Sequence, residues 1–212
     1  LKKSYGDTIS VLSIGIAGES LLHAATIACT DTAGLITRHA GRGGLGAVMG
    51  AKGIKAIVAN VERLQKTDIC VNNETLDNIK DIKNVINNHY VTDTFRLYGT
   101  NGHADIINAL GAYPTRCFSE GSYDMIENVN GDYLRKHILS RGGKTGHRAC
   151  SLCNIGCSNT VNDKNGMYLT SALEYETICA FGANCGIHDI DTIAYANKIC
   201  NEIGVDTIET GV

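Results

Sequence analysis

The chain has 212 residues, a formal net charge of −3, and 43% hydrophobic against 19% charged residues, the composition of an ordinary globular protein with one domain or two small ones. The slight acidity argues against nucleic acid or an anionic membrane as the main partner, because both call for a basic face. No apolar run approaches the ~18–20 residues of a membrane span, and Leu1 does not open a signal peptide.

In chain order, Ile9 to Ile16 reads as a strand that runs into a turn at Gly15 to Glu19, and Ile54 to Ala59 reads as a second strand, rich in β-branched residues. Between them the glycines crowd from Gly41 to Gly53, although the whole chain has 24 glycines and a single proline. After Glu62 the pattern changes. Glu74 to His89 places Leu76, Ile79, Ile82 and Ile86 on one helical face, and His103 to Leu110 is a shorter helix closed by Gly111. Asp189 to Ile203 is the clearest helix, with Asp189 as N-cap, a stripe of Ile193, Ala196, Cys200 and Ile203, and Gly204 at its end. The reading is an α+β chain: residues 1–62 close a β-rich domain and residues 63–212 begin a mainly α-helical one. The end at Val212, just past a helical segment, and the missing initiator Met mark it as an internal fragment.

Three cysteines carry the strongest chemical signal. Cys150, Cys153 and Cys157 are spaced C-x2-C-x3-C, so their thiolates can converge on one metal centre. Zinc with His147 as fourth ligand is one alternative, but structural zinc sites draw on two separated pairs and there is no second C-x2-C. Three unligated thiols at this spacing are the other. The order is the reverse of the radical-SAM pattern. An iron–sulfur cluster of the 4Fe-4S type is favoured, in a reducing, cytoplasmic setting. Its fourth ligand would be Cys179, Cys185, Cys200 or a cysteine beyond Val212; the first three sit in apolar helical contexts where cysteine commonly just packs, so the last is expected.

The glycine-rich stretch contains a formal G-x-G-x-x-G, with Glu62 about 20 residues on, where a dinucleotide fold has its acid. The context rejects that fold: only Leu45 to Lys52 is available for the crossover helix, and Gly50 and Gly53 interrupt it. What survives is a loop whose backbone approaches something closely, flanked by Arg38 and Arg42, which can pair with a phosphate. A tight turn with solvated arginines explains the same composition.

Taken together, Ile14 to Glu19, Gly41 to Ile57, Gly111 to Arg116, Cys150 to Cys157, Glu174 to Thr177 and Asn201 to Thr207 resemble, in order, the tungsten-dependent aldehyde:ferredoxin oxidoreductase family over essentially the whole chain. The resemblance implies a pterin-binding N-terminal domain ending near residue 62. It also implies a tungsten (or molybdenum) bis-pterin cofactor with a magnesium ion (Mg2+) bridging the pterin phosphates. Arg38, Ala40, Gly41, Arg42, Gly43 and Gly44 would lie against those phosphates and the magnesium, partly through the carbonyl near Ala40. Cys150, Cys153 and Cys157 would supply three cluster ligands. The family's D-x-x-G-L-D/C pterin motif falls on Asn201, Gly204, Val205 and Asp206, with Asn201 replacing the first Asp and Val205 the Leu. Glu176 matches a glutamate near the metal, and Glu174 would support it.

The implied reaction is oxidation of a small aldehyde to its carboxylate, with electrons leaving through the cluster to ferredoxin in an anaerobic organism. Asn154 and Ser158, beside the ligands, are candidates for tuning the cluster. The alternatives are the tungsten subunit of an aromatic acyl-CoA reductase of the benzoyl-CoA type, and a non-catalytic iron–sulfur electron-transfer subunit. Some members join two subunits through an iron held by a helix glutamate. The matching position is Tyr195, so a dimer bridged that way is not expected, while a homo-oligomer of another kind is left open. Alone, the fragment is expected to be inactive.

Overall fold

The computed structural model describes residues 1–60 and 71–212; Glu62, and with it the boundary expected near residue 62, lies outside the described residues. After a short helix α1 (Lys2–Tyr5), β1 (Ile9–Ile14), β2 (Ile27–Thr30), β3 (Ile36–Ala40) and β4 (Ala56–Asn60) form an antiparallel sheet in the order β3-β2-β1-β4. β1 buries Ile9, Val11 and Ile14 and turns Ser10 and Leu12 outward, as a strand with one covered face must. It stops two residues short of the expected end, and β4 starts two residues late. β2 and β3 escape sequence reading because β2 has only four residues and Arg38 and His39 break the apolar alternation of β3.

Two short helices, α2 (Ile16–Glu19) and α3 (Leu45–Ala51), pack on each other. Here the glycine crowding finds its reason. A Cβ on Gly50 would overlap the Gly18 carbonyl, and one on Gly46 would overlap the Thr26 carbonyl. Two of the loop's glycines therefore serve backbone packing, whereas Gly43 and Gly44 take the positive φ values, 88° and 66°, that turn the chain into α3.

The remainder is helical with a second sheet that the sequence pattern did not announce. The helices are α4 (Asn73–Asn87), α5 (Tyr90–Tyr98), α6 (Ala104–Ala109), α7 (Gly131–Ser140), α8 (Tyr175–Ile178), α9 (Ile190–Ile203) and α10 (Thr207–Thr210). The sheet is β5 (Lys144–His147), β6 (Ser158–Asn162) and β7 (Tyr168–Ser171), antiparallel in that order. Strands of four or five residues made largely of polar side chains carry too little alternation to be seen. The α+β class holds throughout. Gly111 closes α6 at φ 70°, as expected. α4 is capped by Asn72, whose Oδ1 accepts from the Thr75 N–H at 2.8 Å. Its expected stripe is not packed, however: Leu76, Ile79 and Ile82 are exposed.

The core is built from Tyr113, Leu134, Ile138, Val161, Leu173, Ile178, Ile190 and Ile193, each almost fully buried. Each aliphatic side chain there contributes roughly 1.5–3 kcal/mol of burial. α9 has its predicted cap, with Asp189 Oδ2 accepting from the Thr192 N–H at 3.0 Å. Its inward face differs from the predicted stripe. Ile193 and Cys200 point in, but Ala194 and Asn197 join them and Ile203 is exposed. The rotation is set by Asn197, whose amide donates to Thr170 Oγ1 (2.9 Å) and to the Ser171 carbonyl (3.2 Å) on β7.

The sheet and the end of α9 are stapled through backbone. The Thr26 N–H donates to the Gly204 carbonyl (2.8 Å), and the Asp206 N–H donates to the Ala24 carbonyl (2.9 Å). Ala25 and Val205 form a β-bridge between them, and Ala17, Ala25, Cys200 and Val205 make a small shared core. Gly204 ends α9 at φ 80° and lies against Gly15, where a Cβ would overlap the Ile203 carbonyl. Among the described residues no helix is long and apolar enough to cross a membrane.

Candidate functional site

That staple positions a cavity of about 210 Å³ lined by Thr26, Arg38, His39, Gly41, Arg42, Ala172, Glu174, Thr177, Asn197, Asn201, Val205, Asp206 and Thr207. Three segments far apart in sequence meet here: the end of β3, the entry to α8, and the turn from α9 to α10. Of the residues singled out from sequence, Arg38, Gly41, Arg42, Glu174, Asn201, Val205 and Asp206 line it. Ala40 is instead paired with Ile27 in the sheet, Gly43 and Gly44 lead into α3, and Gly204 serves the staple. A broader concavity of about 1260 Å³ runs along Ile14, Ile16, Ile54 and Leu169. It is the larger of the two, but the smaller one gathers the converging charged and hydrogen-bonding groups that define a binding site.

Arg38 and Glu174 span the cavity, Nη1 to Oε1, at 3.3 Å. Arg38 Nη1 also donates to Ser158 Oγ (3.4 Å), and Glu174 Oε2 accepts from Thr100 Oγ1 (2.8 Å), which in turn accepts from the Tyr175 N–H (2.8 Å). Burial raises the Glu174 carboxyl above its ordinary range; the Thr100 hydrogen bond and the Arg38 guanidinium pull it back. Asp206 caps α10, with Oδ2 accepting from the Glu209 N–H (3.2 Å), and lies against Gly41.

His39 was missed from sequence, although it stands inside Arg38-His-Ala-Gly-Arg42. Its Nδ1 is bonded to Thr26 Oγ1 at 2.8 Å, while its Nε2 is buried without a partner. Burial and the neighbouring Arg38 push its pKa down to about 4, against a pull from Asp206, so the ring is neutral near pH 7. A buried ring nitrogen without a partner in a polar cavity can take a hydrogen bond from a donor placed there. The donors on the wall (Arg38, Arg42, Asn197, Asn201, Thr26) and the acceptors (Glu174, Asp206) fit a phosphate or the amide edge of a pterin. The volume suits a part of a bis-pterin cofactor rather than the whole.

α8 and α10 form a partition, joined by Thr177 Oγ1 and Thr207 Oγ1 at 2.7 Å. Glu174, Thr177 and Thr207 face the polar cavity. On the other side, Pro114, Phe118, Tyr175, Glu176, Cys179 and Ile208 line a mostly apolar cavity of about 140 Å³. The two glutamates thus line different cavities. Burial pushes the Cys179 thiol up to about 11, moderated by its hydrogen bond to Tyr175, so it is a packed neutral thiol.

Cys150, Cys153 and Cys157 lie on the turn between β5 and β6, Cys150 exposed and the other two half-buried, all unbridged. Arg96, for which sequence gave no signal, holds this turn. Its Nε and Nη2 donate to the Ile155 carbonyl (3.2 Å) and the Asn154 carbonyl (2.8 Å). Cys153 Sγ accepts from the Ile155 N–H (3.3 Å), an N–H···S bond of the kind that tunes cluster sulfurs. Among the described residues, no group of three or more His, Cys, Asp and Glu side chains is gathered tightly enough to hold a metal ion. The donor set nonetheless fits an iron–sulfur cluster: three soft ligands on one clamped turn. His147, the alternative zinc ligand, has its Nε2 engaged by Asp31 Oδ2 at 3.0 Å. The turn abuts the polar cavity. Burial, and then the Glu174 charge, raises the Cys157 thiol, while Arg38 lowers it.

An α+β scaffold that brings a donor-rich cavity beside a three-thiol turn has the form of a cofactor-bearing redox module. Comparison with known families agrees. Residues 1–61 match the N-terminal domain of aldehyde ferredoxin oxidoreductase, and residues 77–212 match its domains 2 and 3. The chain belongs to this family of oxidoreductases. It is 36% identical to the tungsten-containing aldehyde ferredoxin oxidoreductase of Pyrococcus furiosus and 37% to that of Thermococcus kodakarensis, in each case over all of this chain and 33% of the relative. It is 24% identical to the WOR-like subunit of an aliphatic sulfonate oxidoreductase of Pyrococcus furiosus, over 95% of this chain and 31% of that one. The chain thus spans about a third of the curated relatives it matches. Its fold is also that of part of the active site complex BamBC of benzoyl coenzyme A reductase, solved with 1,5-dienoyl-CoA. The TM-score is 0.61 and the identity 22%, with 97% of this chain and 31% of the other covered.

Proposed function

We propose that this chain is the central part of an enzyme that oxidises aldehydes to carboxylates at a tungsten bis-pterin centre and passes the electrons to ferredoxin. The observation that carries the reading is the convergence of Arg38, Arg42, Glu174, Asn201 and Asp206 on one cavity next to the cysteine turn. A bare electron-transfer subunit has no use for that cavity.

In this reading Arg38 and Arg42 would pair with the phosphates of the pterin cofactor and its magnesium, while Ala40, paired in the sheet, would set the position of the loop. The Asn201 amide would donate to or accept from the pterin ring, the Asp206 carboxylate would accept from it, and neutral His39 Nε2 would take a hydrogen bond from it. Cys150, Cys153 and Cys157 hold the 4Fe-4S cluster, with a fourth thiolate from a later part of the protein. When bound, the pterin–tungsten group would supply two-electron oxidation chemistry, and a cluster on Cys150, Cys153 and Cys157 would supply one-electron transfer. The protein's own chemistry is positioning and proton handling. Glu176, at the mouth of the apolar cavity, orients water and takes the proton released from the substrate carbon on a carboxylate oxygen. Glu174 is a positioning residue, fixed by Thr100 and Arg38. The division of the chain near residue 62 then separates a domain for the pterin phosphates from one for the cluster and the proton-handling carboxylate.

The test is elemental analysis of the full-length protein purified without oxygen, followed by aldehyde-dependent reduction of ferredoxin. About one tungsten and four irons per chain with aldehyde turnover supports the reading. Turnover of an aromatic thioester instead would move it to the acyl-CoA reductases, and iron without tungsten or molybdenum would reduce it to an electron carrier.

A further inference from the structure

The apolar cavity beside Glu176 is lined on one side by Phe118, which is itself exposed. The chain reaches that position through Arg116, Cys117 and Phe118, three consecutive non-glycine residues at φ 47°, 56° and 60°. L-residues enter the left-handed region at a cost, and a run of three persists only when the surroundings hold it there. What holds it is the end of the π-helical turn Cys179–Ala183. The Arg116 N–H donates to the Ala183 carbonyl (2.9 Å), the Cys117 N–H to the Asn184 carbonyl (2.8 Å), and the Phe118 N–H to Asn184 Oδ1 (3.0 Å). The Asn184 amide is itself anchored on the Gly211 carbonyl at 3.0 Å.

Cys185 follows Asn184 directly. An N–H of one residue bonded to the carbonyl that precedes the other leaves their Cα atoms no more than about 7 Å apart. That is within the span a disulfide bridges without large backbone movement. Both thiols are free and exposed, in contrast to the buried Cys179 and Cys200. The Cys185 thiol donates to the Ala180 carbonyl (3.3 Å) and the Gly211 carbonyl (3.5 Å), bonds it would give up on closing, and burial raises its pKa. Neither belongs to the cysteine turn between β5 and β6.

We propose that Cys117 and Cys185 form a redox-active dithiol that closes to a disulfide and locks the Phe118 turn across the apolar cavity. With a low-molecular-weight disulfide as oxidant, the Cys117 thiolate attacks one of its sulfurs and expels one thiolate. The Cys185 thiolate then attacks Cys117 Sγ of the mixed disulfide and expels the second. The oxidant's S–S bond takes up two electrons, the protein gains one S–S bond, and the two thiol protons end on the released thiols. A dithiol reverses the exchange.

The experiment uses the full-length holoenzyme, handled without oxygen and equilibrated with graded ratios of reduced to oxidised glutathione. The samples are acid-quenched, alkylated, digested and mapped by mass spectrometry. The expected result is a peptide joining Cys117 to Cys185, with alkylation at both sites lost together along one two-electron midpoint and restored by dithiothreitol. In Cys117→Ser and Cys185→Ser, checked for native circular dichroism, the joined peptide disappears and the remaining cysteine carries glutathione. Amide hydrogen exchange over 115–119 slows at least tenfold in the oxidised wild type and not in either variant. The proposal is overturned if the wild type shows glutathione on either cysteine without the joined peptide. It is overturned equally if both sites stay fully alkylated under oxidising ratios, or if neither thiol reacts in the native protein.

Discussion

Arg38 on β3 and Glu174 at the entry to α8 meet at 3.3 Å across 136 residues of sequence, and each is bound to a further residue that leads to the cysteine turn or the core. Arg38 reaches Ser158, next to the cluster-ligand candidate Cys157, and Glu174 reaches Thr100. The pair therefore ties the sheet, the polar cavity and the thiol turn together.

Removing one partner tests this tie. Arg38→Ala leaves a mostly buried carboxylate without its cation and is expected to cost about 2 kcal/mol. Because Arg38 holds the Glu174 pKa down, its loss lets burial push that pKa higher still. A folded-state acid pKa above the unfolded value means the folded protein binds more protons, so stability falls as pH rises above the usual carboxylate range. Denaturant midpoints of Arg38→Ala should drop further below wild type at pH 8 than at pH 5. Glu174→Gln should remove that pH dependence. Equal deficits at both pH values would show that the two side chains do not interact energetically.

The two glutamates separate by compartment, which gives a cleaner functional prediction. Glu176→Gln in the full-length enzyme is expected to keep tungsten and iron while kcat falls on the order of 10²- to 10⁴-fold, the usual scale for a lost proton-transfer group. Glu174→Gln should instead lower the tungsten content, with residual activity proportional to the metal retained. Elemental analysis beside steady-state rates distinguishes the two, and the assignment fails if Glu176→Gln loses its metal.

The thiol turn makes its own prediction. Cys153→Ser or Cys157→Ser should abolish the visible cluster absorption and most of the iron, because a serine oxygen is a poor substitute for thiolate in a cluster. Arg96→Ala, which frees the Asn154 and Ile155 carbonyls without touching a ligand, should leave a cluster that forms but degrades faster in air, read as a shorter half-life of the same absorption band.

Sequence reading recovered what is local or periodic. β1, the cap and stop of α9, and the closure of α6 at Gly111 follow from spacing and from residues with one conformational use. It recovered most of the polar cavity because motif order carried Arg38, Glu174 and Asp206 together. It missed what only tertiary contact defines. His39 looks like any sheet histidine until its Nε2 proves buried and unpaired, and Arg96 matters because the turn it clamps is 58 residues away. β5 to β7 are too short and polar to announce themselves. α4 shows the converse, an apolar stripe that periodicity found and that this part of the protein leaves exposed.

Gly50 shows how a motif residue can be misread. A glycine in this loop suggests an anion cradle, but a Cβ at Gly50 would overlap the Gly18 carbonyl, so the residue sets the distance between α2 and α3. Gly50→Ala should cost about 2–4 kcal/mol through forced separation of two backbones. Gly43→Ala meets nothing within 4 Å and pays only the positive-φ penalty, about 1 kcal/mol. Thermal unfolding of both variants in the full-length protein checks the order, and a larger loss in Gly43→Ala would place the tight contact elsewhere.

His39 sets the acid limit of the cavity. Its pKa is about 4 in the folded protein and near 6.5 in the unfolded chain. The unfolded chain thus binds more protons between these values, and stability is lost as pH falls from about 6.5 towards 4. Two and a half units correspond to at most about 3 kcal/mol. His39→Gln keeps a side chain that can bond Thr26 but cannot titrate, so its unfolding free energy should be flatter across this window than that of wild type. Full-length protein loaded with cofactor should show a steeper acid limb than protein without it, because a ligand group bonded to Nε2 resists protonation there. If cofactor loading leaves the limb unchanged while His39→Gln flattens it, the ring titrates as described but Nε2 does not face the pterin.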